Sequence, residues 1–315
     1  MRISTTVGIE LDGPQTIDEI VAEVRRAADL GLAGAWWAQL FSWDALTALT
    51  VAGREVPDLP LGTAVVTTYP RHPLALAGQV LSVQAAIGNR LTLGIGPSHK
   101  QLVEALFGLS FDRPAAHTRE YLTALMPLLR GESVDFHGEV HHATGQITVA
   151  GAVPPKVLLA ALGPVMLRIA GELTDGTVAT WTGLRTLETY VVPVITAAAE
   201  TAGRPVPEVV ASLPVAVTDD ADAARAWVGE RFAPANDMPS YRAMLDREGV
   251  ATVDRLVIAG DETEVERELA RYADTGAMEM IAVPFGPPAQ VDRTLALLAH
   301  VARSTSVRGG AGGRR

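Results

Sequence analysis

Short apolar runs rich in β-branched residues alternate with longer amphipathic segments along the whole 315-residue sequence, and the alternation recurs eight times. The runs are Ile3–Gly8, Ala33–Ala38, Leu59–Thr67, Arg90–Ile95, Val157–Ala160, Gly176–Thr180, Val209–Val217 and Met278–Pro284. Runs of this length suit strands buried on both faces, and the segments between them carry apolar residues at helical spacing. After Thr16, an N-cap type, Ile17, Ile20, Val24 and Ala27 share one helical face, and Gly31 ends the segment. Eight strand–helix units in about 300 residues predict an α/β fold of the (β/α)8 TIM-barrel type. An open doubly wound sheet is the alternative, but Gly94-x-Gly96 has His99 where a dinucleotide fingerprint needs its third glycine.

Two stretches depart from the rhythm. Residues 97–156 hold two helical segments, near 99–106 and 116–130, and an irregular hairpin-like run; residues 234–260 form a second variable stretch. Both are expected as insertions at the C-terminal face of a single domain, 1–303, followed by a disordered tail, 304–315.

Composition narrows the chemistry. Net charge is −10, which argues against nucleic acid or an anionic membrane as partner, since both need clustered cations. There is no cysteine, so thiolate nucleophiles, disulfides and iron–sulfur clusters are excluded. No apolar run approaches the roughly 20 residues of a membrane span, and the first residues carry no signal-peptide pattern, so a cytoplasmic protein is expected.

In a barrel of this kind the βα loops at the C-terminal ends of the strands build the active site. That rule selects Trp37 to Trp43, Thr67 to Pro73, Gly96 to Lys100, Leu162 to Met166 and Thr180 to Gly183. Trp37, Phe41, Trp43, Tyr69 and Trp181 are candidates for an apolar pocket around a flat ring. Neighbouring strand residues face opposite ways, so only one of Trp36 and Trp37 can look into the barrel. Gly163 lets a ligand approach the chain, Pro164 suits a first helical position, and the amides of Val165 and Met166 are then free for an anion. His137, Glu139, His141 and His142 crowd together, but a solvated hairpin accounts for them better than a metal site, and no metal is expected.

The order of motifs resembles the bacterial luciferase-like monooxygenases and, within them, the F420-dependent oxidoreductases of actinobacteria. The resemblance rests on Tyr69-Pro70-Arg71-His72-Pro73 after the third strand and Gly88-Asn89-Arg90-Leu91-Thr92-Leu93-Gly94-Ile95-Gly96 around the fourth. Phe136-His137-Gly138-Glu139, Gly163-Pro164 and Thr174-Asp175-Gly176 add to it. It implies coenzyme F420 in the barrel mouth, with FMN as the alternative, a non-proline cis peptide near Ala64-Val65, and a homodimer. The ring would lie against Ala64, Val65 and Val66, beside Gln39, and the phosphate tail would reach Gly96, Pro97, Ser98 and His99 as well as Gly163 to Met166.

The sequence also departs from relatives. Gln39-Leu40 stands where many have an acidic residue and histidine, and His99 stands where sugar-phosphate dehydrogenases have glutamate. His99 and Gln39 are therefore the candidate catalytic residues, with imidazole able to move a proton near neutral pH. The expected activity is hydride transfer between F420 and a small organic molecule bearing an activated C=C, imine or nitroaromatic group. An FMN-dependent monooxygenase and a non-catalytic F420-binding protein are the alternatives.

Overall fold

A computed structural model describes residues 1–9 and 13–311, with backbone alone from 305 onward. All eight expected strands form, and they pair in parallel as a closed barrel. We number them β1 (Arg2–Thr6), β2 (Ala35–Trp37), β3 (Leu61–Thr63), β4 (Leu91–Gly96), β5 (Lys156–Leu159), β6 (Gly176–Thr180), β7 (Glu208–Val217) and β8 (Glu279–Pro284). Each pairs with the next, and β8 returns to β1 in the register Arg2↔Glu279. Val66–Thr67 continues β3 along β4 after a break, and the peptide bond at the break, Ala64–Val65, is cis as the resemblance implied.

Helices fill the outside of the barrel because their apolar faces have nowhere else to go. In Ile17–Asp29, for example, Ile20, Val21, Val24 and Ala27 are buried, and a capping box between Thr16 and Glu19 starts the helix. The interior follows from alternation. Trp36, Leu158, Val178, Val210 and Ile281 come from five different strands and meet on the axis, with Ala64 and Val65 packed on them. Space for these side chains is made by glycines: a Cβ on Gly62 would lie 2.3 Å from the Trp36 ring, and one on Gly94 would lie 1.9 Å from the Thr63 carbonyl oxygen. The Gly94-x-Gly96 pair therefore serves packing against the β3 break, not a dinucleotide.

At the N-terminal end the barrel is closed by charge. Glu279 is 5% exposed and accepts from Arg2, from Ser4 Oγ at 2.6 Å and from Trp36 Nε1 at 2.7 Å. Glu208 is bound by Lys156 at 2.9 Å and by Arg2. Every oxygen of this plug has a partner, the condition under which buried carboxylates are tolerated.

The two departures from the rhythm are resolved as folded segments. The first holds helices Lys100–Phe107 and Pro114–Leu129 and an antiparallel hairpin, Val134–His137 with His142–Gly145. The second holds helix Pro239–Glu248 and a short strand, Ile258–Gly260, that extends the sheet beside the end of β7. The last helix runs Pro288–Ala311 and so takes in residues 304–311 of the tail, while residues 312–315 lie outside the described residues.

Candidate active site

Alternation along the strands decides what lines the C-terminal mouth. Ser4, Trp36, Leu158, Val178 and Ile281 face inward, so Thr6, Ala38, Ala160, Thr180 and Val283, two residues on, face inward as well. Each of these is half-buried at the end of an otherwise buried strand, as are Ala64 and Val65 at the β3 break. The mouth is thus a ring of small, uncharged side chains. Val65 closes its floor on one side, packed over Gly94 and Gly96, whose Cβ positions would lie 3.1 and 3.0 Å from its methyl groups.

The loop after β2 is held by Gln39. Its Oε1 accepts from the Ala45 amide at 2.8 Å, its Nε2 donates to the carbonyls of Leu40 and Trp43 at 3.3 Å, and its backbone amide donates to Val65 O at 3.3 Å. The side-chain amide is thereby committed to shaping the loop. Asp44, which caps the next helix, pairs with Arg71 at 2.7 Å; hydrogen bonds from Thr47 and Arg71 outweigh partial burial and hold its carboxyl below the usual range.

After β4 the chain passes through Ser98 with φ of 65° and reaches His99, the N-cap of Lys100–Phe107. A left-handed serine beside a barrel mouth is the kind of backbone outlier that clusters at functional sites. His99 makes no capping bond; its ring packs at 5.0 Å on Tyr241, from the second insertion. Burial lowers the His99 pKa, so its imidazole is neutral at neutral pH. Burial also pushes the Tyr241 hydroxyl up to about 12, which keeps it protonated.

After β5, helix Pro164–Leu173 starts at Gly163, which has no side-chain cap. The first bond of the helix runs from Leu167 N to Gly163 O, so the amides of Val165 and Met166 precede it. A Cβ built on Gly163 meets nothing within 4 Å, and Pro164 and Val165 are exposed. The helix start is open, with its donors directed outward.

The aromatic residues expected around one pocket are dispersed. Trp37 is 1% exposed and packs in the wall between barrel and helices, against Gly8, because alternation turns Trp36 inward instead. Trp181 has a φ of 53°, is buried and packs on Phe232 at 5.4 Å. Tyr69 is half-buried and stacked at 3.8 Å on His117 and at 5.0 Å on Phe111. Trp43 donates to Gln15 O at 2.9 Å, and Phe41 is 76% exposed at the rim.

Sequence reasoning missed a buried polar chain under this rim. His141 Nε2 and His117 Nδ1 share a hydrogen bond of 3.0 Å, and His117 Nε2 and Thr68 Oγ1 share another of 3.0 Å. The Thr68 amide donates to Gly96 O at 3.0 Å, which ties the chain to the end of β4. Burial, then the neighbouring His141, lower the His117 pKa to about 4, against the opposing charge of Glu120. The remaining hairpin histidines turn to other partners: His137 to Asp135 at 3.0 Å, and His142 O to His72 at 2.8 Å. The helical spacing of His117 and Tyr121 with Leu125, one buried face, was the unused signal that would have placed His117 inside.

Comparison with known proteins agrees with this architecture. Residues 1–299 match the family described as luciferase-like monooxygenase. The 5,10-methylenetetrahydromethanopterin reductase of Methanolobus tindarius is 29% identical over 263 residues, covering 81% of this chain and 80% of that one. Among solved structures, the coenzyme F420-dependent tetrahydromethanopterin reductase from Methanopyrus kandleri superposes with a TM-score of 0.80 at 21% identity, covering 97% of this chain and 99% of that one. The monooxygenase RslO1 from Streptomyces bottropensis does so with a TM-score of 0.76 at 20% identity, covering 97% and 100%. The match along nearly the whole barrel places the chain in the luciferase-like monooxygenase family.

Proposed function

We propose that this protein is an F420-dependent oxidoreductase that moves hydride between the deazaflavin and a small organic molecule. The observation that carries the reading is the mouth itself: a ring of half-buried, uncharged strand ends beside an open helix start at Gly163. A planar heterocycle with an anionic tail needs that combination, an apolar bed for the ring and free amides for the phosphate. Similarity to relatives described as F420-dependent supports the deazaflavin over FMN.

The bound deazaflavin supplies a carbon centre that passes hydride and resists oxygen chemistry. The chain's own residues bind, orient and exclude water. Ala64 and Val65 form the bed for the ring, whereas Val66, expected beside them, is fully buried in the outer core and cannot reach it; Gln39 holds the adjacent loop in place through its amide. The amides of Val165 and Met166, with Gly96, Pro97, Ser98 and His99 opposite, receive the tail. Thr6, Ala38, Thr180 and Val283 leave the rest of the mouth small and uncharged, which suits an enone, imine or nitroaromatic better than a sugar phosphate. His99, neutral at neutral pH because burial lowers its pKa, is counted among the contacts of the tail, so the proton that accompanies hydride is taken from water. Binding in the correct orientation is the main demand on the protein, because positioning a bound donor and acceptor removes most of the entropic barrier.

The test is direct. Purified protein is titrated separately with F420 and with FMN and followed by fluorescence, then offered a panel of enones, imines and nitroaromatics with reduced F420. Binding of F420 with oxidation in the presence of one class is the expected result. Tight FMN binding without an F420 response would turn the reading into an FMN monooxygenase, and F420 binding with no acceptor turned over would leave a carrier protein.

A further inference from the structure

The second insertion does more than decorate the barrel. Its helix, Pro239–Glu248, is pinned at its C-terminal end to the loop after β6: the Glu248 carboxylate accepts from the amides of Arg185 at 3.2 Å and Thr186 at 2.8 Å and from Thr186 Oγ1 at 2.7 Å. The approach is so close that a Cβ on Gly183 would lie 2.2 Å from that carboxyl carbon. Near its other end, Tyr241 packs on His99 of the loop after β4. Tyr241 and Glu248 are seven positions apart, a rise of about 10 Å in a helix. Strands β4 and β6 flank β5, so their ends are two strand spacings apart, also about 10 Å. The helix length therefore matches the gap it bridges. The helix thus joins the two loops on either side of β5, the strand that leads into the Gly163 turn.

We propose that Tyr241 is a ligand-binding residue, and that the second insertion acts as a clasp closing it, with His99, over a phosphodiester seated at the Gly163 turn. This rests on the F420 reading above and deepens it by naming what grips the tail. The chemistry of the clasp is that of uncharged donors. The arginines of the helix are turned elsewhere: Arg242 to Asp246 and to the carbonyls of Val250 and Ala251, and Arg247 onto the Tyr190 ring at 3.8 Å. A phenol hydroxyl and helix amides suit the single charge of a diester, whereas a phosphate monoester near its second ionisation calls for arginine forks.

Two probes separate the tail from the ring: F420 itself, and the deazaflavin riboside that lacks the phosphodiester and everything beyond it. Affinities are measured by fluorescence titration for the wild-type protein, Tyr241→Phe and Tyr241→Ala, with thermal melts to confirm folding. The wild-type protein should prefer F420 to the riboside at least tenfold. Tyr241→Ala should lose at least about tenfold for F420 and leave the riboside within about twofold. Tyr241→Phe keeps the ring on His99 and removes one hydrogen bond to a charged oxygen, so it should lose about tenfold for F420 alone. Equal loss for both probes in the folded Tyr241→Phe protein, or no loss for either, overturns the clasp while leaving F420 binding intact. A wild-type protein that binds FMN and neither deazaflavin overturns the F420 reading and the clasp with it.

Discussion

The two insertions reach the same rim and are fastened in opposite ways. The first, with its hairpin, is riveted from within by His117 and His141, neutral imidazoles that are hydrogen-bonded to each other and to Thr68. The second is hooked from outside, by Glu248 on three donors of the β6 loop, with Arg185 on Arg247 O, Arg247 on the Tyr190 ring and Tyr241 on His99 beside it. A buried neutral rivet is strong and sensitive to protons; a partly exposed carboxylate hook is weaker and easier to open. The first insertion thus belongs to the scaffold, and the second has the attachment expected of a part that must admit a ligand.

The largest effect should come from removing the rivet. His117→Ala empties a site that is 4% exposed, takes the partner of His141 Nε2 and leaves Thr68 Oγ1 with only its 3.4 Å bond to Gly96 O. Cavity and lost hydrogen bonds together should cost roughly 4 kcal/mol of unfolding free energy, read from urea titration. A cost below 1 kcal/mol would mean that the histidines are bystanders and the comparison is wrong.

Acid should act on the same place. In the unfolded chain His117 takes a proton near pH 6.5; in the fold burial and His141 hold it off until about pH 4. Stability is therefore complete above pH 6.5 and is lost as pH falls from there towards 4, by about 3 kcal/mol at the lower limit. Burial likewise lowers His141, with His72 adding to the effect and Glu120 opposing it. Glu120, which accepts three hairpin amides, is itself held low by them and adds to acid loss only below the ordinary carboxylate range. Tyr69, Tyr121, Asp112 and Arg71 complete the groups around the pair. His117→Gln should flatten the profile between pH 6.5 and 4, and an unchanged slope would assign the acid sensitivity elsewhere.

The hook predicts a smaller cost with a different signature. Glu248→Ala should lower stability by about 1–2 kcal/mol, since it leaves three donors that can find water. Because it frees the helix that carries Tyr241, it should also weaken F420 about threefold while sparing the riboside without a tail. Loss of stability with no change in affinity would detach the hook from the clasp.

How much of this was legible follows from periodicity. The eight strands could be read because each is a dense apolar run between helices, and the barrel follows from their number. The choice between Trp36 and Trp37 fell on Trp37 and was wrong, because alternation fixes that they differ but not which faces inward, and Trp36 is the one on the axis. Helix Pro239–Glu248 was hidden: only Met244 and Leu245 of its ten residues are buried, too few to show a helical period. Ile258–Gly260 is three residues long, shorter than any pattern. The Gly163 turn was found from Gly-Pro alone, whereas the break at Ala64–Val65 was placed by family resemblance and not by any local rule. His141 was assigned to a solvated hairpin, whereas it is half-buried and bonded to His117, 24 residues away on another element.

The smallest predicted effect tests whether the hairpin is held from within or from the surface. Arg113 and Glu139 make a 2.6 Å ion pair across the first insertion, with both side chains more than half exposed. A pair so placed gains little, because water and salt screen it and two long side chains must be ordered to form it. Arg113→Ala should therefore change stability by less than about 0.5 kcal/mol, shift neither F420 nor riboside affinity, and leave the acid profile of the wild-type protein in place. The contrast with His117→Ala is the point of the measurement. If the surface pair proved worth as much as the buried histidines, the hairpin would be fastened like the second insertion, and the division between scaffold and clasp would not survive.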